Sequence, residues 1–146
     1  MRNLAWFLGL AAGFGLTVQV AMNSQLRRVM ESASIAATIS FLIGLLALGG
    51  LLVATRTPLP ARETFAAVPL WAWFGGVLGA FYVASSTVVA AQLGATTLLA
   101  LALLGQLSTA LVIDHFGWLQ MPVHPITWTR IAGVLLLGSG VWLISR

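Results

Sequence analysis

The sequence predicts an all-α membrane protein of five transmembrane helices, and three observations predict it. Only 7% of the 146 residues are charged and 60% are hydrophobic, where a soluble domain carries roughly 25% charged residues. The intervals between charges match a bilayer, whose hydrocarbon core of about 30 Å takes about 20 helical residues to cross. All six tryptophans, Trp6, Trp71, Trp73, Trp118, Trp128 and Trp142, fall at the ends of those intervals, the depth an amphipathic indole prefers.

The mean hydropathy of +1.01 excludes a water-soluble globular protein. A pI near 11.6 reflects the scarcity of acids: seven scattered arginines and no lysine make no basic face, so nucleic acid is not a partner. The absence of cysteine excludes disulfides and thiolate metal sites and leaves the redox compartment open.

Taken in order, the uncharged runs from Asn3 to Leu26 and from Ser32 to Thr55 hold 24 residues each, one span apiece. The run from Thr64 to Ile113 holds 50, about 75 Å as a single helix, so it must turn back once. The turn is expected within Ala91-Gln92-Leu93-Gly94-Ala95-Thr96, where a glycine and an amide interrupt the aliphatic sequence. From His115 to Ile126, Pro122 and Pro125 mark a loop or interfacial segment. A last span follows, with Arg130 one turn inside it and able to snorkel to the headgroups. The chain reads as one membrane domain, 1–146, with spans about 4–26, 34–54, 70–90, 96–113 and 127–145. The first span is too long for a signal-peptide h-region, carries Gln19 and Asn23, and is followed by no A-x-A site.

Five spans put the termini on opposite faces. Arg2, Arg56, Arg62 and Arg130 then lie on one side and Arg27, Arg28 and Arg146 on the other. Orientation is set by an excess of Lys and Arg on one face, and here the split is nearly even. Insertion in both orientations is one reading: two copies then form an antiparallel homodimer, the arrangement of inverted-repeat transporters. A fixed orientation with a weak signal, or a partner of opposite bias, are the others.

Within the spans, Gly9, Ala12, Gly15, Gln19, Asn23 and Arg27 recur at three- and four-residue spacing and share one helical face. The two amides offer donors and acceptors without net charge, as interhelical hydrogen bonds or as contacts to a substrate. Gln106, near the middle of the fourth span, cannot satisfy itself and must reach another helix, water or a ligand. Tyr82, a phenol at mid-span, needs a partner or a wet cavity. Gly44 in the second span and Gly75, Gly76 and Gly79 in the third make small-residue packing faces. Asp114 and Arg130, on the same side of the membrane, are expected to pair, closing the intervening loop or acting as a gate.

No carboxylate lies at the centre of a span, so proton coupling has no support in the sequence. His115 and His124, in a proline-containing stretch, match no metal-ligand spacing. No nucleophile, acid–base pair or phosphate-cradling loop is present, so no enzyme and no cofactor are expected.

Gly13 followed by Gln19 and Asn23, Ser40-Phe41 with Gly44, Trp73-Phe74-Gly75-Gly76, and Gly79-Ala80-Phe81-Tyr82-Val83 form an ordered set of motifs. It continues with Leu93-Gly94-Ala95, Gly105-Gln106-Leu107, Asp114-His115-Phe116-Gly117 and Arg130 with Gly133. Over nearly the whole chain this order resembles the YdcZ-like family of bacterial inner-membrane proteins, in the drug/metabolite transporter superfamily. The resemblance implies a multi-pass protein of the bacterial inner membrane, half of a ten-helix inverted-repeat transporter. It points to Gln19, Asn23, Gln106, Asp114 and Arg130 as the residues to watch, and it names no cargo.

The expected function is therefore small-molecule transport by an antiparallel homodimer using alternating access. Gln19, Asn23, Gln106 and Tyr82 are the substrate-binding candidates, and membrane lipids and a second copy the partners. The alternatives are half of a heterodimeric transporter, or a structural or accessory membrane protein without cargo. A passive channel would need a continuous polar lining, for which the polar residues are too few.

Overall fold

The structure, a computed structural model, describes residues 2–146, and among the described residues it is helical with no strand. Each of the five charge-poor stretches is helical: α1 is Arg2–Met30, α2 Ala33–Ala54, α4 Gly75–Leu93, α5 Ala95–Phe116 and α6 Trp128–Ile144. A short helix the charge pattern did not show, α3 (Arg62–Ala66), precedes a 3-10 turn over Leu70–Phe74 that leads into α4. Four segments, Asn3–Met30, Ala33–Ala54, Leu70–Leu93 and Ala95–Phe116, are long and apolar enough to cross a membrane. At 17 residues, or about 26 Å, α6 is a shorter apolar helix. The chain divides into two compact units, Met1–Val88 and Val89–Arg146.

In the first unit, α1 and α2 pack as a hairpin across a connection of two residues. Glu31 takes the left-handed conformation (φ 54°) that lets the chain leave α1. Ser32 then caps α2, its Oγ accepting from the Ile35 amide at 3.3 Å. Helix α1 runs past the charge-free run because Arg27 and Arg28 sit in its last turn, where cations oppose the negative end of the helix dipole. Helix α2 ends in a double closure: the Arg56 amide donates to Val53 O at 3.1 Å and the Thr57 amide to Leu52 O at 3.0 Å. Arg56 is in the left-handed region (φ 50°), so the end has the pattern of a Schellman motif, with Pro58 and Pro60 preventing continuation. Buried positions in this unit are Val20 and Asn23 on α1, Ala36 and Ala37 on α2, and Val83, Ser86 and Thr87 on α4. A side chain at Gly79 would begin 3.4 Å from the Phe41 ring, an ordinary contact distance, so that ring lies beside α4 at this position.

Within the window 91–96, where a turn is expected, the helix is interrupted at a single residue. Gly94 adopts φ +82°, ψ 157°, a region essentially reserved for glycine. Its amide still closes α4 on Ala90 O (3.0 Å) while its carbonyl opens α5 by accepting from the Leu98 amide (3.1 Å).

In the second unit α5 packs on α6. Helix α5 ends at Gly117, left-handed at φ +62°, where a Cβ would lie 2.7 Å from Val123 Cγ2; both backbone and space demand glycine. The chain then folds back, the His124 amide donating to Asp114 O at 2.8 Å. Thr127 starts α6, its Oγ1 accepting from the Arg130 amide at 3.4 Å.

Candidate functional site

Little of each long helix is covered by the rest of the chain: no more than 17% of any of the four spans is buried. The polar side chains that hydrocarbon cannot solvate therefore mark where something other than lipid is met. Many are disposed of locally. Thr17 donates to Gly13 O at 3.0 Å, Thr38 to Ser34 O at 2.9 Å, Ser86 to Val83 O and Thr87 to Ala84 O at 2.8 Å, and Ser108 to Leu104 O at 2.7 Å. A hydroxyl folded back on its own helix needs nothing further.

The amides of α1 have no such recourse. Asn23 is 6% exposed and, among the described residues, engages in none of the side-chain hydrogen bonds that occupy its neighbours. It lines an open groove of about 460 Å³ along the first hairpin. Gln19, one turn earlier, lines the same groove, and Ser40 of α2 does so too. The remaining wall is apolar: Phe14, Val18, Met22, Leu26 and Ile43, with Gly15. Gln19 and Ser40 also line a second groove of about 320 Å³ beside the first, with Phe41, Gly44, Leu45 and Leu48. Two amides and a hydroxyl thus stand on the wall of an otherwise greasy trough that carries no charged side chain.

Helical spacing placed Gln19 and Asn23 on one face, but Ser40, which entered only through the Ser40-Phe41 motif, was not named as a site residue. The missing signal was rotational: only the packing of α2 on α1 turns position 40 toward the amides. Two buried hydroxyls, Ser24 Oγ and Tyr82 Oη, have no hydrogen-bond partner among the described residues. Gln106 is exposed on α5 in the second unit. Of the glycines expected at packing faces, Gly79 meets Phe41, Gly44 lines the second groove, and Gly75 and Gly76 face open space within the chain.

At the loop end of the second unit, Arg130 Nη1 lies 3.3 Å from Asp114 Oδ2 and also donates to His124 O at 3.4 Å. The His115 ring accepts at Nδ1 from the Ile126 amide at 3.3 Å. One guanidinium therefore ties the end of α5, the returning loop and the start of α6. Below it a groove of about 360 Å³ runs between α5 and α6 past Leu107, Ala110, Leu111, Gly133 and Val134. No cluster of three potential metal ligands occurs among the described residues.

Long apolar helices, four of them able to cross a bilayer, define a multi-pass membrane protein. The family model described as "Putative inner membrane exporter, YdcZ" matches residues 4–143, and the chain belongs to that family, which places it in the inner membrane. It is 28% identical over 137 residues to the protein named "Inner membrane protein YdcZ" of Escherichia coli (strain K12), an alignment covering 94% of this chain and 91% of that one. No solved structure matches the chain.

If Asn23 held helices together, removing its amide would weaken the fold; an amide that reaches an open groove without a bond to the described residues contributes no such tie. Asn23→Leu is expected not to lower the thermal midpoint of the detergent-solubilised protein, since no interhelical hydrogen bond is lost. A lowered midpoint would show that the amide works as interhelical glue.

Proposed function

We propose that the chain is a small-molecule transporter of the inner membrane, working as one half of an antiparallel homodimer. The observation that carries the transport reading is the Asn23 amide, without a hydrogen bond to the described residues, in a groove shared with Gln19 and Ser40. Membership of a family described as an inner-membrane exporter supports the same reading. Alternating access then follows the logic of inverted-repeat transporters, in which one half rocks against the other around a site near the midplane. The exposed Gln106 amide on α5 and the unpartnered Tyr82 hydroxyl are further groups that a second copy, water or cargo must satisfy.

Dual orientation rests on the arginine balance. Counting α6 as a fifth span puts four arginines on one face and three on the other. C-terminal fusions to alkaline phosphatase, active only outside the cytoplasm, and to green fluorescent protein, fluorescent only inside, are expected to give comparable signals. One active reporter and one silent one would contradict the homodimer and favour pairing with a different half.

Transport itself is tested by comparing the solutes released by cells expressing the wild-type chain with those of cells expressing Gln19→Ala or Asn23→Ala at equal membrane levels. At least one small molecule is expected to accumulate outside several-fold more with the wild type than with either variant. Identical profiles would leave a membrane protein without cargo.

A further inference from the structure

The groove of the first hairpin combines three features: an asparagine, largely buried, whose amide reaches the groove without a hydrogen bond to the described residues, two more neutral hydrogen-bonding groups, and a wall with no charge. Asn23 is 6% exposed and makes no hydrogen bond to the described residues. Ser40 contributes a hydroxyl that, unlike Thr17 and Thr38 on the same two helices, is not folded back on its own backbone. The three acids of the chain, Glu31, Glu63 and Asp114, are absent from this groove and from the one beside it. Arginine is absent from both as well.

Charge decides what such a site admits. A cation entering a low-dielectric trough loses hydration and needs a carboxylate to recover it; an anion needs a guanidinium or ammonium. No carboxylate is on the wall, and the guanidinium on the same helical face, that of Arg27, lies one turn beyond Asn23 and does not line the groove. An amide or hydroxyl on the ligand, by contrast, finds both donors and acceptors in Asn23 and Gln19 and either role in Ser40. Phe14, Val18, Met22 and Ile43 offer the rest of the ligand an apolar bed, with Met22 able to adapt its shape. The volume of about 460 Å³ lies within the range of small-molecule sites.

We infer that this groove binds uncharged amphipathic molecules, holding a carboxamide, hydroxyl or carbonyl group on Asn23, Gln19 and Ser40, and that it rejects lipophilic cations and anions of the same size. The inference rests on the groove being the transport site proposed above, and it deepens that reading by naming the class of cargo.

The test uses three probes on one scaffold: 4-phenylbenzamide, 4-phenylbenzyltrimethylammonium and 4-phenylbenzoate. The full chain, in nanodiscs of zwitterionic lipid, is titrated with each while its thermal unfolding is followed; a ligand specific to the folded state raises the midpoint with concentration and so yields an affinity. The amide is expected to bind at least tenfold more tightly than either ion. Asn23→Leu should weaken it tenfold or more, and Ser40→Ala should weaken it less. Equal or tighter binding of the ammonium probe would overturn the class while leaving a ligand site in place. Binding of the amide unaffected by both substitutions, or no binding of any probe, would overturn the assignment of the groove. Selective amide binding together with identical released-solute profiles would keep the groove's chemistry and remove the transport reading, so the two failures are told apart.

Discussion

Hydrocarbon offers no hydrogen-bond partner, and the layout of this chain follows from that constraint. It forces the backbone into helices, which satisfy their own amides and carbonyls. It also turns short hydroxyl side chains back onto those helices, as at Thr17, Thr38 and Ser108. What it cannot absorb are the carboxamides. A carboxamide left without a partner in an apolar setting costs about 1–3 kcal/mol, and Asn23, 6% exposed, has no hydrogen bond to the described residues.

The two hairpins meet the constraint in different ways. In α5 and α6 the polar groups gather at one end: Arg130 binds Asp114 and the His124 carbonyl, and Gly117 allows the tight return. With both charged side chains partly exposed, 39% for Arg130 and 27% for Asp114, such a pair is worth about 1 kcal/mol or less, and its main effect is to fix the geometry of the loop. In α1 and α2 the polar groups lie along the hairpin instead, and they are not spent on each other.

The spacing of charges located the helices well, because charge-free length and bilayer thickness are tied by the rise per residue. It located their ends poorly where a helix welcomes charge. Helix α1 continues to Met30 through Arg27 and Arg28, since cations favour a helix C-terminus, so the uncharged run measures hydrocarbon and not helix. The break between α4 and α5 was legible as a window of six residues; only the φ of +82° at Gly94 reduces it to one. Of the site, Gln19 and Asn23 were legible from their spacing, which fixes a shared face. Ser40 was not, because which of the small residues of α2 turns toward α1 is set by interhelical packing. The unpaired state of Ser24 and Tyr82 is likewise a property of their neighbours, and spacing along the chain does not record neighbours.

The central claim is that the face carrying Gln19, Asn23 and Ser40 is wet at membrane depth. The chain has no cysteine, so a thiol introduced at one position is the sole target for a small, membrane-impermeant maleimide or methanethiosulfonate. In intact vesicles, Ser40→Cys and Gln19→Cys are predicted to react at least tenfold faster than Leu10→Cys and Leu46→Cys, whose side chains point away from the groove on the same two helices. Equal and slow reaction at all four positions would mean that lipid covers the amides, and would contradict the account.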